Sequence, residues 1–357
     1  MAYSQQETKK CFLISLVFLL CCSPWHYVEV DEEKGVELFY YFVESERNPE
    51  KDPLLIWLTG GPGCSSLLGL TIEIGPLLFD LPNYVNGLPS INYKPDSWTQ
   101  VSSVIFVDSP VGTGFSYSRT TEGFQTSDTE TARQLLHFLY KWLEEHPKFK
   151  SNPLYICGSS YSGMIVPVLT LEISIAKESH GAPFNLKGYV LGNPITDMNF
   201  DKNAKVPFVH GMALISDELY ESTKKSCSGN YMTPSNIHCA KYLDTVTEDS
   251  LYQLSNFWAN NGTVRDALGI HKGTIVDWHR CTHLPYTSNV QSAVPYHRTI
   301  TSKGYPTLIY SGDHDAMAPY VGTQAWIRSL NFSVIDNWRP WYSSGQVAGY
   351  DLFGLWF

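Results

Sequence analysis

The chain has 357 residues, 43% of them hydrophobic and 17% charged, enough apolar material for a large globular core and too much for a disordered chain. A formal net charge of −10, with no long basic run, speaks against a nucleic-acid-binding surface. At the N-terminus, Lys9 and Lys10 precede an apolar run from Cys11 to Cys22. That run suits a secretory signal core and is too short for a membrane span, so residues 1–22 are expected to be a signal peptide, with no stable membrane anchor. Strands are predicted near residues 37–43, 54–58, 103–108, 153–157, 186–191 and 306–311. The runs after residue 50 are apolar throughout, as in a parallel sheet covered on both faces. A helix is predicted after Phe124, with Ser127 and Glu130 as a capping box, an apolar stripe of Leu135, Leu136, Leu139, Trp142 and Leu143, and Pro147 as its stop. Strands alternating with helices give an α/β fold. Residues 198–300 interrupt the alternation and are expected to form a cap-like insertion in one domain spanning 23–357.

Three segments carry chemistry. The run Leu154 to Cys157 ends in Gly158, Ser160 follows, and Gly163 opens an apolar helical stretch from Met164 to Ile173. Strand, sharp turn with a serine at its tip, then helix is a nucleophile turn, although the strict G-x-S-x-G pattern is not met, because position 162 is Ser. The run Leu54 to Leu58 leads into Thr59-Gly60-Gly61-Pro62-Gly63, a turn whose exposed backbone N–H groups suit an oxyanion. The run from Thr307 ends in Gly312-Asp313-His314-Asp315 and delivers carboxylates at a strand end. Oxyanion loop, then Ser, then Asp is the chain order of the α/β-hydrolases.

Longer motifs extend the likeness: Trp57 to Ser66, Phe106 to Tyr117, Gly158 to Gly163, His210-Gly-Met, Ile215 to Glu218 and Ser311 to Asp315. On these the chain resembles the plant serine carboxypeptidase-like proteins, from about Tyr27 to about Tyr350. The resemblance implies an α/β-hydrolase fold, Ser160 as nucleophile, Asp315 as triad acid, and the N–H groups of Gly61 and Tyr161 as oxyanion donors. It implies a peptide or small-molecule ester as substrate, and no cofactor. No metal-ligand cluster stands in the sequence.

The chain departs from the family pattern at several places. The family carries its catalytic His in a segment well beyond Gln346 to Tyr350, whereas this sequence ends at Phe357, so the resemblance implies that this chain lacks the base. His314, His210, His271, His279, His283 and His297 are substitutes by residue type only. In the carboxypeptidases an Asn and a Glu stand at positions 59 and 159 and help grip the substrate carboxylate together with an acid at position 73. Here they are Thr59 and Ser159, beside Glu73, with Trp57 and Gly60 in the same segment. Thr59 and Ser162 look more like the acyltransferase branch, which uses sugar-ester acyl donors. Family segments also look lost before Trp25 and after Cys239, which leaves a non-catalytic shortened product as another reading.

Without the signal, five cysteines remain. Cys227 and Cys239 are close enough to staple one loop, the family pattern implies Cys64 with Cys281, and Cys157 is expected to be a buried thiol. Asn261-Gly-Thr and Asn331-Phe-Ser are glycosylation sequons. A signal, disulfides and sequons together imply a secreted or vacuolar protein.

Overall fold

A computed structural model of the chain describes residues 27–80, 84, 87–233, 236–244 and 258–355. The expected signal peptide lies outside the described residues. Among the described residues the main sheet has eight strands, seven of them on its path: β1 (Tyr27–Asp31), β2 (Val36–Val43), β3 (Leu54–Leu58), β4 (Ser103–Val107), β5 (Leu154–Ser159), β6 (Leu186–Gly192) and β7 (Thr307–Tyr310). Their order is β1-β2-β4-β3-β5-β6-β7, with the short strand Tyr117–Ser118 pairing against β2. The pairs β1/β2 and β2/β4 are antiparallel, and every pair from β4 to β7 is parallel. The predicted strands therefore match to within two residues at each end.

Side chains alternate across this sheet into two cores. Leu54, Ile56 and Leu58 face one core, while Leu55 and Trp57 face the other. Apolar residues at successive positions read as unbroken runs because both faces are covered. Burying each Leu or Ile completely contributes about 1.5–3 kcal/mol. The first core is roofed by α1 (Asp128–Glu145) and α2 (Ser162–His180), which pack on each other. The second is covered by the turn Gly69–Glu73 and by residues 259–278, including Trp278 and Val264.

The α1 stripe is buried at Leu135, Leu139, Trp142 and Leu143, whereas Leu136 is half-buried at its edge. Ser127 Oγ accepts the Glu130 N–H at 3.3 Å, but Glu130 does not complete the capping box. Its carboxylate is taken by the Arg133 guanidinium at 2.6 Å, a charge-assisted bond stronger than one to a neutral amide. Helix α2 runs beyond the predicted Ile173 to Gly181, whose φ of 62° closes it in a left-handed cap.

Between β6 and β7 lie α3 (Met198–Gly211), α4 (Asp217–Cys227), α5 (Ile237–Asp244), α6 (Gly262–Ala267) and α7 (Val294–Ser302). This is the stretch expected as an insertion, except that α7 packs on α2 and belongs to the main helical layer. The place of the expected lost block, residues 245–257, lies outside the described residues. Helix α8 (Tyr320–Ser329) packs on α3.

A hairpin the sequence did not suggest ends the described chain: β8 (Ser333–Ser343) and β9 (Gln346–Leu355). Its turn residues Ser344 and Gly345 both have positive φ, as a tight hairpin demands. Among the described residues the two strands pair only with each other. Val334, Trp338, Trp341, Tyr342 and Tyr350 are exposed, with Trp338 stacked on Tyr350 at 5.5 Å.

Candidate active site

Ser160 sits at the end of β5 with φ of 56°, a left-handed conformation that costs a non-glycine residue about 1–2 kcal/mol. Neighbouring backbone holds it there. Its N–H donates to Gly192 O at 3.1 Å, and its carbonyl accepts from Gly163 N at 3.0 Å and Ile195 N at 2.8 Å. The side chain is exposed at the carboxyl end of the parallel strands, just ahead of α2. Strained nucleophile turns of this kind keep Oγ clear of the backbone.

The glycine-rich loop after β3 closes on this turn. A Cβ placed on Gly60 would lie 2.6 Å from both Ser160 Cβ and Tyr161 N, so the position demands glycine. Gly61 adopts φ of 117°, which no L side chain tolerates readily. Among the described residues, neither the Gly61 N–H nor the Tyr161 N–H donates to a protein acceptor. Two unpaired N–H groups beside an exposed hydroxyl, one of them heading a helix, are what a developing oxyanion requires.

Asp315 follows β7, two strands from Ser160 across the sheet. Its Oδ2 accepts from Asn193 Nδ2 at 2.7 Å, and its Oδ1 from Met317 N and Ala318 N at 2.7 and 3.1 Å. Asn193, with φ of 44°, also accepts from Gly312 N, so it clamps the acid's loop to the end of β6. Lys205 on α3 feels the Asp315 charge, which opposes the lowering of its pKa by burial. Sequence reasoning missed both Asn193 and Lys205. Gly192-Asn-Pro194, coming straight off an apolar strand, was the available signal for the first.

None of the histidines considered from sequence is bonded to Ser160 or Asp315 among the described residues. His314 is exposed and bonds Asp313 at 2.7 Å. His210 bonds Asp217 at 2.7 Å and stacks on Tyr220. His271 stacks on Tyr27 and bonds the Tyr117 hydroxyl at 3.0 Å. His297 is buried behind β6, 2.5 Å from the Tyr189 hydroxyl, and burial lowers its pKa to about 3. His279 and His283 are exposed.

Beside the Ser160 turn, Glu73 gathers the other expected binding residues. Its carboxylate accepts from Trp57 Nε1 at 2.7 Å, and lies 3.4 Å from the hydroxyls of both Thr59 and Ser159. Burial raises the Glu73 pKa, with those three donors pulling the other way. Lys94 Nζ donates to the carbonyls of Ile72 and Glu73, a contact the sequence did not suggest. Trp57 needs correcting as a binding residue: its side chain has no exposed surface, because it packs in the core against Trp98. Its one link toward the expected subsite is the bond from Nε1 to Glu73.

Cys64 is joined to Cys281 and Cys227 to Cys239, with Cys157 a buried thiol whose pKa burial raises. The first bridge ties the glycine-rich loop to the return limb of the long β6–β7 connection. Among the described residues there is no cluster of potential metal ligands, and no helix is long and apolar enough to cross a membrane.

Comparison with known proteins agrees with this geometry. The serine carboxypeptidase family model matches residues 23–256 and 248–351. The match comes in two pieces that overlap at residues 248–256. Serine carboxypeptidase-like 2 of Arabidopsis thaliana is 51% identical over 351 residues, covering 91% of this chain and 80% of the relative. Serine carboxypeptidase-like 17 of the same plant is 47% identical, with the same coverage. Among solved structures, a prohormone-processing carboxypeptidase from Saccharomyces cerevisiae superposes with a TM-score of 0.75 at 19% identity, over 92% of this chain and 83% of that one. That likeness establishes the α/β-hydrolase fold. With the family model covering nearly all of the described chain, this protein belongs to the serine carboxypeptidase family.

Proposed function

We propose that the chain is a hydrolase acting on peptide C-termini or esters through an acyl-Ser160 intermediate. Ser160 Oγ attacks the carbonyl carbon as its proton passes to a general base, which then returns that proton to the leaving amine or alcohol. None of the described histidines is bonded to Ser160 to take this part. The carbonyl oxygen becomes an oxyanion received by the N–H groups of Gly61 and Tyr161. Collapse expels the protonated amine or alcohol, and water then takes the acyl group. Asp315 is the triad acid, and Thr59, Gly60, Glu73 and Ser159 form the adjoining substrate subsite. The observation that carries this reading is the exposed, strained Ser160 packed against Gly60 beside two unpaired backbone donors.

Thr59 and Ser162 favour a variant of this chemistry, transfer of the acyl group from a sugar ester to an acceptor hydroxyl, although Ser159 departs from that branch as well. A different reading is a non-catalytic family product. It is favoured by the lack, among the described residues, of any histidine bonded to Ser160. The two disulfides support export to the vacuole or the cell exterior after removal of residues 1–22. Asn261 and Asn331 are then the glycan acceptors. Asn331 is exposed, and Asn261 caps α6 with its Oδ1, leaving the amide nitrogen out of that cap.

The test is labelling with a fluorophosphonate probe after circular dichroism has shown the chain folded, with Ser160→Ala as control. Labelling that depends on Ser160 is expected. A folded chain that does not label rules out the hydrolase reading in favour of the non-catalytic one.

A further inference from the structure

Asp128 is the first residue of α1 and has no exposed surface. Among the described residues its carboxylate has no cationic partner. It is instead satisfied by three neutral donors: the Tyr161 hydroxyl at 2.9 Å, the Tyr286 hydroxyl at 2.7 Å and the Val290 N–H at 2.7 Å. Ser288 Oγ lies 2.7 Å from the Tyr161 hydroxyl and completes the set. A buried charge held only by neutral groups is costly, and an apolar residue would serve packing better. The helix N-terminus offsets part of that cost.

The donors show what the arrangement accomplishes. Tyr161 follows the nucleophile directly and opens α2, so anchoring its hydroxyl fixes the plane from which its backbone N–H projects. Tyr286, Ser288 and Val290 belong to the return limb of the β6–β7 connection. The same limb grips the opposite oxyanion arm a few residues earlier: Ser65 N donates to Arg280 O at 2.8 Å, Thr282 N to Gly63 O at 2.9 Å, and Cys281 is bridged to Cys64. Residues 280–290 thus form a strap that touches both donor arms.

We propose that Asp128 is a positioning residue that, through the hydroxyls of Tyr161 and Tyr286, locks the strap to the nucleophile turn and holds the Tyr161 N–H in place. The proposal rests on reading that N–H as an oxyanion donor. Asp128 touches no substrate.

The test compares the full chain with Asp128→Asn, Tyr161→Phe and Tyr286→Phe, the two Phe variants each removing a single hydroxyl in case Asp128→Asn folds poorly. Amide hydrogen exchange is followed by mass spectrometry on fragments covering Ser159–Met164 and, as an internal reference, Leu154–Gly158. Exchange at the turn should rise roughly tenfold in Asp128→Asn and Tyr161→Phe, while the reference stays protected. An unchanged turn, or equal rises in both fragments, overturns the proposal. Where the parent labels with the fluorophosphonate, the same two variants should label roughly 10²-fold more slowly, as for a displaced reacting group. Labelling at the parent rate also overturns it. A folded parent that does not label defeats the hydrolase reading, and the exchange result still decides the role of Asp128.

Discussion

Ser160 occupies a backbone conformation that suits its proposed task better than it suits the stability of the fold. Its carbonyl and N–H are both engaged by neighbouring strands and turns, so the strain is imposed from outside rather than relieved locally. Ser160→Gly is therefore expected to stabilise the chain by up to about 1 kcal/mol, whereas Ser160→Ala keeps the strain. Thermal unfolding of the two variants checks this. Equal melting temperatures would show that the turn is not strained. Both variants should lose fluorophosphonate labelling, the usual trade between stability and a reactive site. Asn193 illustrates how such a site is supported: its own φ of 44° places a side-chain amide on Asp315 and the loop that carries it.

Two disulfides differ in what they secure and in how easily they are reached. Cys227 and Cys239 are buried and close a short loop, while Cys281 is exposed and its bridge to Cys64 spans 217 residues. Mild reduction should open Cys64–Cys281 first, because thiol exchange requires access to sulfur. Alkylation and peptide mass mapping would show the order, and labelling of Ser160 should slow at that stage, before Cys227–Cys239 opens. Opening of the buried bridge first would contradict the packing described here. The strands of the main sheet were legible because runs such as Leu54 to Leu58 and Leu186 to Leu191 are apolar on both faces. The Ser160 turn and glycine loop were legible because their backbone geometry restricts which residues stand there. The Asp128 anchor was not, since its partners lie more than thirty and more than a hundred and fifty residues away along the chain. The terminal hairpin was hidden because Trp338, Trp341 and Tyr350 are interleaved with Asp336, Arg339 and Asp351.

At the scale of the whole molecule, buried acids and one buried histidine set how stability follows pH. Burial raises Asp108 and Asp201 to about 6, against the donors that both carboxylates also accept. Folded, each holds a proton near pH 5 that the unfolded chain has released, so each contributes stability at low pH that is lost as pH rises through 6. His297 acts oppositely, since its folded pKa of about 3 lets only the unfolded chain bind a proton near pH 5. Two acids against one histidine leave the folded state the better proton binder, worth roughly 1 kcal/mol between pH 7 and 5. The melting temperature should accordingly be higher at pH 5 than at pH 7, and Asp108→Asn should remove or reverse the difference. A melting temperature that falls on acidification would contradict these shifts. The unaccompanied hairpin has an optical consequence. Trp57, Trp142, Trp278 and Trp326 are sealed in the interior, whereas Trp338 and Trp341 are 55% and 48% exposed. A neutral collisional quencher should therefore extinguish a red-shifted component of the intrinsic emission, and Trp338→Phe with Trp341→Phe should remove much of it. Any event that covers this hairpin would shield that component while the blue interior emission stays constant, so the protein carries its own fluorescent report on the state of its C-terminal ribbon.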